Sequence, residues 1–181
     1  VINEIGALPT RNGHEVQFEG AHNISAEAMA EPRDSDGQAN LVSNHACFGC
    51  PISCARRSKI DPSHFTVKDK PGYQIVGGGL EYEAAWALGA ATGVDDLDAL
   101  TYANFVCNEQ GLDPISLGST LGAAMDLYAA GSISSSDTDG IELEFGNTEA
   151  FVAMVEATAR GEGFGKEIGQ GSKRMCDKYG H

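Results

Sequence analysis

Three of the five cysteines lie close enough in the sequence to bind one metal centre. Cys47, Cys50 and Cys54 form a C-x2-C-x3-C run, whereas Cys107 and Cys176 are isolated. Thiolates at this spacing can converge on a soft centre, because a tight turn aims the first two to the same side. An odd number of bunched cysteines is a poor disulfide framework and a good metal-ligand set. The spacing therefore predicts a metal site.

Iron and sulfide suit this ligand set better than zinc does. Three irons of a cubane cluster can take three thiolates from one loop while the fourth ligand comes from elsewhere. A zinc site usually needs a second C-x2-C pair or a His-x3-5-His pair, and the sequence has neither. Zinc stays an alternative, as do three thiols packed as small hydrophobes. His45, the neighbouring histidine, fits a core role as well as a functional one.

Carboxylates and an amide lie at two predicted helix ends. Glu81 and Glu83 open a helix, where acidic side chains complement the helix dipole. The segment 108–113, NEQGLD, ends another helix, with Gly111 as its C-cap and Asp113 following. Each motif alone is ordinary helix punctuation, so these residues by themselves leave a structural and a chemical role open.

In combination, these segments closely resemble the aldehyde ferredoxin oxidoreductase family of tungsten or molybdenum pterin enzymes. The matching segments, in order, are LPTRNGHEVQFEGAHNISAE, ACFGCPISCARR, LEYEAAWALGAATGVDD and CNEQGLDPIS. The resemblance covers nearly the whole chain. It implies the helical middle domain, and the start of the last domain, of a longer chain whose N-terminal β-rich domain cradles a bis-pterin metal centre.

The resemblance also implies residues for two cofactors. It assigns Cys47, Cys50 and Cys54 to a [4Fe-4S] cluster, whose fourth cysteine lies in a later D-x-x-G-L-C pattern that this sequence lacks. It assigns a second set to the tungsten or molybdenum bis-pterin: Asn108, Gly111, Leu112 and Asp113. Asn108 stands where the family motif D-x-x-G-L-D begins with Asp. An amide lacks the charge that binds a pterin amine most strongly, so the other three contacts are the firmer expectation.

Glu83 matches a family glutamate beside the metal, which assists proton transfer or holds the aldehyde. The implied reaction oxidises aldehydes to carboxylic acids, with electrons passed through the cluster to ferredoxin in the cytoplasm. In some members an acid and a histidine bridge a second metal between subunits. Neither has a clear counterpart here, and Tyr102 falls about where the acid would be. The resemblance therefore does not support a metal-bridged homodimer, although a homodimer stays open.

Composition limits the partners. The chain has 12 Lys+Arg against 26 Asp+Glu, a net charge of -14, which argues against a nucleic-acid groove or an anionic membrane surface. It has no apolar run near the roughly 20 residues that span a bilayer and no basic leader before an apolar stretch. We expect a soluble, unexported protein. Two other functions stay open: a non-catalytic iron-sulfur electron-transfer or assembly module, and a zinc-stabilised helical interaction domain.

The elements that position these residues are predicted to be mainly α-helical, in a multihelical fold with an irregular N-terminal lead-in and at most a short hairpin. Ser25 is a typical N-cap for a short helix through Met29. The cysteine segment 44–59 is predicted to begin as a turn and continue as a helix after Pro51. The remaining predictions are a loop or small hairpin at 60–79, helices at 80–91, 95–111, 114–131, 149–160 and 165–179, and a strand at 142–145.

Glycines and polar residues in the sequence also predict that the chain is divided into domains. Residues 1–131 form a helical domain with the cysteine loop and the first pterin motif, 132–140 form a polar link, and 141–181 form a truncated helical continuation. The chain begins at Val1 without an initiator Met. We therefore expect a fragment of a longer protein, with cofactors absent or incomplete and most of the pterin site missing.

Overall fold

The computed structural model describes residues 1–180, with the backbone alone at positions 75 and 76. Seven α-helices occur in this range. They are α1 (Ala26–Ala30), α2 (Tyr82–Leu88), α3 (Leu97–Gln110), α4 (Pro114–Ala129), α5 (Thr148–Arg160), α6 (Gly165–Ile168) and α7 (Ser172–Tyr179). None of the helices in the described range is long and apolar enough to cross a membrane.

Three short strands form an antiparallel sheet in the order β1-β2-β3. They are β1 (Leu41–His45), β2 (Ala55–Lys59) and β3 (Ile75–Gly77). The β1–β2 pair is a hairpin, and its connection carries the three bunched cysteines. We call residues 41–59 the cysteine hairpin.

The helices surround one buried hydrophobic core. It includes Phe18 from the lead-in, Leu100 from α3, and Phe151 and Met154 from α5. Helices α2 and α4 approach closely because Gly118 has no side chain: a Cβ there would overlap the backbone of Ala87. Helix α5 packs on α3, and α6 and α7 pack on α4. The predicted division at 132–140 stays a prediction.

The mainly α-helical prediction is confirmed, and most predicted helices are present with altered ends. The predicted 80–91 helix is shorter, because α2 ends at Leu88 and a separate 3-10 turn covers Ala90–Thr92. The predicted 165–179 helix is divided between α6 and α7, since Gly171 has φ +86°. The Ser25 cap is confirmed: its hydroxyl accepts the Ala28 N–H at 3.1 Å.

Two predictions are wrong. The helix after Pro51 is instead strand β2, because Ser53 adopts φ +54° and the following residues pair with strands on both sides. The strand at 142–145 does not form: this segment pairs with no other strand of residues 1–180, and Glu144 N–H bonds locally to Glu142 O. In both cases the presence or absence of a neighbouring strand decided the structure, because the backbone N–H and C=O groups of a strand need hydrogen-bond partners.

Candidate functional site

The cysteine hairpin presents three free thiols on one loop. Cys47 and Cys54 are exposed and Cys50 is half-buried. The Cys50 N–H donates to Cys47 O at 3.0 Å, which forms the tight turn that the spacing predicted. Gly49 has φ +74°, a conformation that glycine adopts without strain. The loop therefore holds the first two thiols within a single turn.

This donor set fits three irons of a cubane cluster. Soft thiolates are the ligands of such clusters, and the three thiols here are free of disulfides. Phe48 and Ile52 alternate with the cysteines at the tip and are 109% and 76% exposed. Within residues 1–180, no three His, Cys, Asp or Glu side chains converge on a single-ion site. Cys47 and Cys54 are thus exposed and Cys50 is half-buried, beside two uncovered apolar side chains.

Glu83 and Asn108 line one cavity of about 340 Å³. Glu83 is the second residue of α2, where its carboxylate lies at the positive end of the helix. Asn108 lies in the last turn of α3. Glu81, the residue before α2, also lines this space. We call it the acidic cavity, and it brings together two side chains that are 25 positions apart in the sequence.

Asn104 also lines the acidic cavity, and sequence analysis missed it. It lies one turn before Asn108 on α3, and its side-chain amide donates to Gly78 O. Gly78 has φ +67°, and the Asn108 amide occupies the space where a Cβ would stand. The two amides therefore seat the Gly77–Gly79 segment against α3. The signal was present in the sequence, since residues 104 and 108 share one helix face.

The other predicted pterin residues form the turn between α3 and α4. Gly111 has φ +70° and ends α3, and Leu112 N–H donates to Cys107 O at 2.8 Å. Asp113 caps α4: its Oδ1 accepts the N–H groups of Ile115 at 2.8 Å and Ser116 at 3.0 Å. None of these three residues lines the acidic cavity, but they connect two of its lining residues, Asn108 and Pro114, and we call this turn the rim.

The remaining cysteines are set apart from the hairpin. Cys107 is fully buried in α3, and burial, with the nearby charge of Asp113, raises the pKa of its thiol to about 12. It therefore stays protonated at neutral pH and is a poor metal ligand. Cys176 is exposed on α7. Cys107 is thus a core thiol and Cys176 a surface thiol.

One backbone hydrogen bond joins the cysteine hairpin to a residue that lines the acidic cavity. Gly79, which lines the cavity, donates its N–H to Arg56 O at 2.7 Å. Arg56 is two residues after Cys54, a separation of about 7 Å along an extended strand. A thiol of the hairpin and the wall of the cavity are therefore near neighbours, which the sequence spacing between them did not indicate.

Two partly buried polar clusters lie elsewhere. Tyr102 donates its hydroxyl to Glu156 at 2.6 Å and accepts from Lys70 Nζ at 2.8 Å. His64 bonds to Asp96 at 3.1 Å. Burial opposes the charged imidazole, but the hydrogen bond and charge of Asp96 outweigh it and raise the pKa of His64. Both clusters are internally paired and belong to the scaffold.

Comparison with known proteins adds independent evidence. The family model described as "Aldehyde ferredoxin oxidoreductase, domains 2 & 3" matches residues 1–181. The tungsten-containing aldehyde ferredoxin oxidoreductase of Pyrococcus furiosus is 38% identical over 182 residues, which cover 100% of this chain and 27% of that protein. The chain thus spans about a quarter of that relative's length.

Two further matches are more distant. The WOR-like subunit of the aliphatic sulfonate oxidoreductase of Pyrococcus furiosus is 30% identical over 135 residues, covering 74% of this chain and 20% of that protein. Among solved structures, the active-site complex BamBC of benzoyl coenzyme A reductase with 1,5-dienoyl-CoA superposes with a TM-score of 0.58. That match has 20% sequence identity and covers 78% of this chain and 19% of the other, so it shows the fold alone.

Proposed function

Because this chain belongs to the aldehyde ferredoxin oxidoreductase family, we propose that it forms the cluster-binding and active-site wall of a tungsten- or molybdenum-dependent aldehyde oxidoreductase. The observation that carries the proposal is the hydrogen bond between the cysteine hairpin and the wall of the acidic cavity. Arg56, two residues after the free thiol of Cys54, accepts the N–H of Gly79, which lines the acidic cavity beside Glu81 and Glu83. A redox reaction that delivers electrons to a cluster needs such adjacency.

Oxidation of an aldehyde to an acid takes an oxygen from water and releases two electrons and two protons. When bound, a tungsten or molybdenum pterin supplies two-electron chemistry and a [4Fe-4S] cluster supplies one-electron transfer. Cys47, Cys50 and Cys54 would hold the cluster through three of its irons. The fourth ligand would come from another part of the longer chain.

Glu83 would act on protons. Its carboxylate lies in the cavity near the amide of Asn108 and is exposed to whatever enters there. A carboxylate in this position can accept a proton from water or hold one near the aldehyde carbonyl. Such positioned general acids and bases typically contribute about 10² to 10⁴-fold to a rate.

The rim of the cavity would hold the pterin. In Asp113, both described hydrogen bonds end on Oδ1, which leaves Oδ2 for an amine donor. Asn108 can both donate and accept, which compensates in part for the missing charge. Gly111 and Leu112 would contribute close backbone contact, since glycine at the turn admits a near approach.

The partners follow from the same proposal. Ferredoxin would take the electrons in the cytoplasm, and the remaining domains of the longer chain would complete the metal site. The substrate class is an aldehyde, as the names of the relatives at 38% identity suggest. A homodimer is compatible with this proposal and is not required by it.

The test uses the full-length protein, purified without oxygen. We expect tungsten or molybdenum, pterin, and four irons with acid-labile sulfide, together with aldehyde-dependent reduction of a viologen dye. An aliphatic sulfonate serves as the competing substrate, because a relative at 30% identity bears that name. Zinc without iron, or full cofactors with no oxidation of any aldehyde, would contradict the proposal.

The variant Glu83→Gln tests the role of the carboxylate within that protein. The amide keeps the shape and removes the base, so turnover should fall by about 10² to 10⁴-fold while metal and pterin contents stay unchanged. Glu109→Gln is the matched control, since Glu109 is an exposed acid beside Asn108 that does not line the acidic cavity. Equal rates for Glu83→Gln and the wild type would make Glu83 structural and Glu81 the next candidate.

A further inference from the structure

Arg56 makes two contacts with the segment between β3 and α2. Its carbonyl accepts the Gly79 N–H at 2.7 Å. Its guanidinium reaches past the strand and donates to Leu80 O, with Met29 Sδ 3.6 Å away. Leu80 is fully buried. Without this donor the buried Leu80 carbonyl would have lost its hydrogen bond to water without a replacement, which is costly. The contact therefore stabilises the position of the segment.

The contact surface leaves no space for adjustment. A Cβ at Gly79 would overlap Ser58 Oγ and would lie 3.1 Å from Arg56 Cβ. Gly79 therefore allows the backbone of the segment to rest directly on β2. The arginine side chain then closes over the end of this contact, at Leu80.

The two sides of this contact carry different parts of the candidate site. Cys54 is two residues before Arg56, whereas Glu81 and Glu83 are one and three residues after Leu80. We propose that Arg56 is a positioning residue that holds the cysteine hairpin against the start of α2, and so fixes the third thiol relative to the carboxylates. Its consequence for catalysis rests on the proposed function, whereas the contact itself does not.

Arg57 is a matched control within the chain. It follows Arg56 directly, carries the same charge, lies three residues after Cys54, and is exposed. Successive side chains on a strand point to opposite faces, which is why only Arg56 reaches Leu80. Residues 37–60 contain no Asp or Glu, although the chain has 26. Loss of either arginine therefore removes one positive charge from the same acid-free segment.

The first experiment measures hydrogen exchange in the full-length holoenzyme. Arg56→Met should raise the exchange rate of the amides in 79–83 by about tenfold or more, because a hydrogen bond from a charged donor is lost. Arg57→Met should leave these amides within about twofold of the wild type. Equal exchange in both variants would overturn the proposal.

The second experiment measures electron delivery. In Arg56→Met the rate at which aldehyde bleaches the cluster absorbance should fall by about 10- to 100-fold, since small misplacements in a site are costly. Dithionite should still reduce the cluster at the wild-type rate, and metal and pterin contents should not change. Arg56→Lys, which keeps a donor, should recover part of the loss. A fall of equal size in Arg57→Met would assign the effect to charge and overturn the positioning role.

If Arg56→Met does not fold, Gly79→Ala tests the same contact from the other side. It should raise the exchange rate of the amides in 79–83 more than Arg56→Lys does, because lysine keeps a donor; the reverse order would overturn the proposal. The proposed function can fail separately. A wild-type holoenzyme whose cluster is not reduced by any aldehyde would contradict that function, while the exchange comparison would still decide the role of Arg56.

Discussion

In the cysteine hairpin, four of the five residues of β1 are exposed, whereas α3 buries eight of its fourteen. The hairpin is held along β2, by β3 and by the Arg56–Gly79 contact, and its tip carries exposed thiols and the fully exposed Phe48. Helix α3 instead has side chains of α5 against its buried face. The helices hold their shape through apolar burial, whereas the tip of the hairpin is held by backbone hydrogen bonds and buries little apolar surface.

From this contrast we expect the largest effect when a cysteine of the hairpin is replaced, and the quantity to measure is the iron content. In the full-length protein, Cys50→Ser should abolish the four-iron cluster, because a hydroxyl is a poor ligand for a soft centre. Cys107→Ser should leave iron and sulfide unchanged, since that thiol is buried and protonated. Iron and acid-labile sulfide per chain are the measurements. Cluster loss in Cys107→Ser alone would reverse the assignment of ligands.

The second prediction concerns the helical core, and the quantity to measure is the free energy of unfolding. Phe151 is fully buried in α5, so Phe151→Ala should lower the free energy of unfolding by about 3–5 kcal/mol. Phe48→Ser, at the hairpin tip, should change it by less than about 0.5 kcal/mol. Hydrogen exchange of the amides in α3 and α5 under native conditions measures the free-energy change in each variant. A similar cost for the two changes would contradict the contrast between the regions.

The third prediction separates two roles of Asp113. Asp113→Ala removes the cap of α4 and should cost about 1 kcal/mol of stability, as should Asn147→Ala at the start of α5. Asp113→Asn keeps a good cap and removes the charge, so stability should be retained while pterin affinity falls by about fivefold. Unfolding and pterin content are measured side by side. Unchanged pterin affinity would make Asp113 only a helix cap.

The smallest predicted effect is a pH dependence in the scaffold. The pKa of His64 is raised by its bond to Asp96 despite burial, so the folded state favours the charged imidazole. This stabilisation is complete below the ordinary histidine pKa of about 6.5 and is lost as the pH rises through the raised folded value. In His64→Gln this pH-dependent loss should disappear, so the free energy of unfolding should change less over this pH range, by about 1 kcal/mol or less.

The control for this effect is a double-mutant cycle with Asp96→Asn. Burial raises the pKa of Asp98 and so opposes its charge, while Asp61, with a pKa of about 2, stays ionised; both carboxylates face His64. If the His64 effect persists in full when Asp96 is replaced, these neighbours and not Asp96 set the pKa.

Local signals in the sequence determined the helices and the thiol loop. Gly111 ends α3 in a left-handed conformation, as its type and position predicted, and Asp96 and Asp113 cap α3 and α4 through hydrogen bonds to nearby backbone N–H groups. The tight turn at Cys47–Cys50 was also predictable, because its hydrogen bond joins residues three apart. Such features depend on neighbours within about one helical turn, so a single sequence contains the information. The family resemblance likewise depended on short segments in order.

Only the tertiary structure decided where those elements meet. Strand β2 exists because β1 and β3 pair with it, and the acidic 142–145 segment is no strand because none pairs with it within the described range. The joining of Glu83 with Asn108 in one cavity, and of Arg56 with Gly79 and Leu80, depends on the packing of residues 23 to 25 positions apart. Backbone pairing and close packing of this kind are satisfied by distant partners, which residue types and local spacing do not specify.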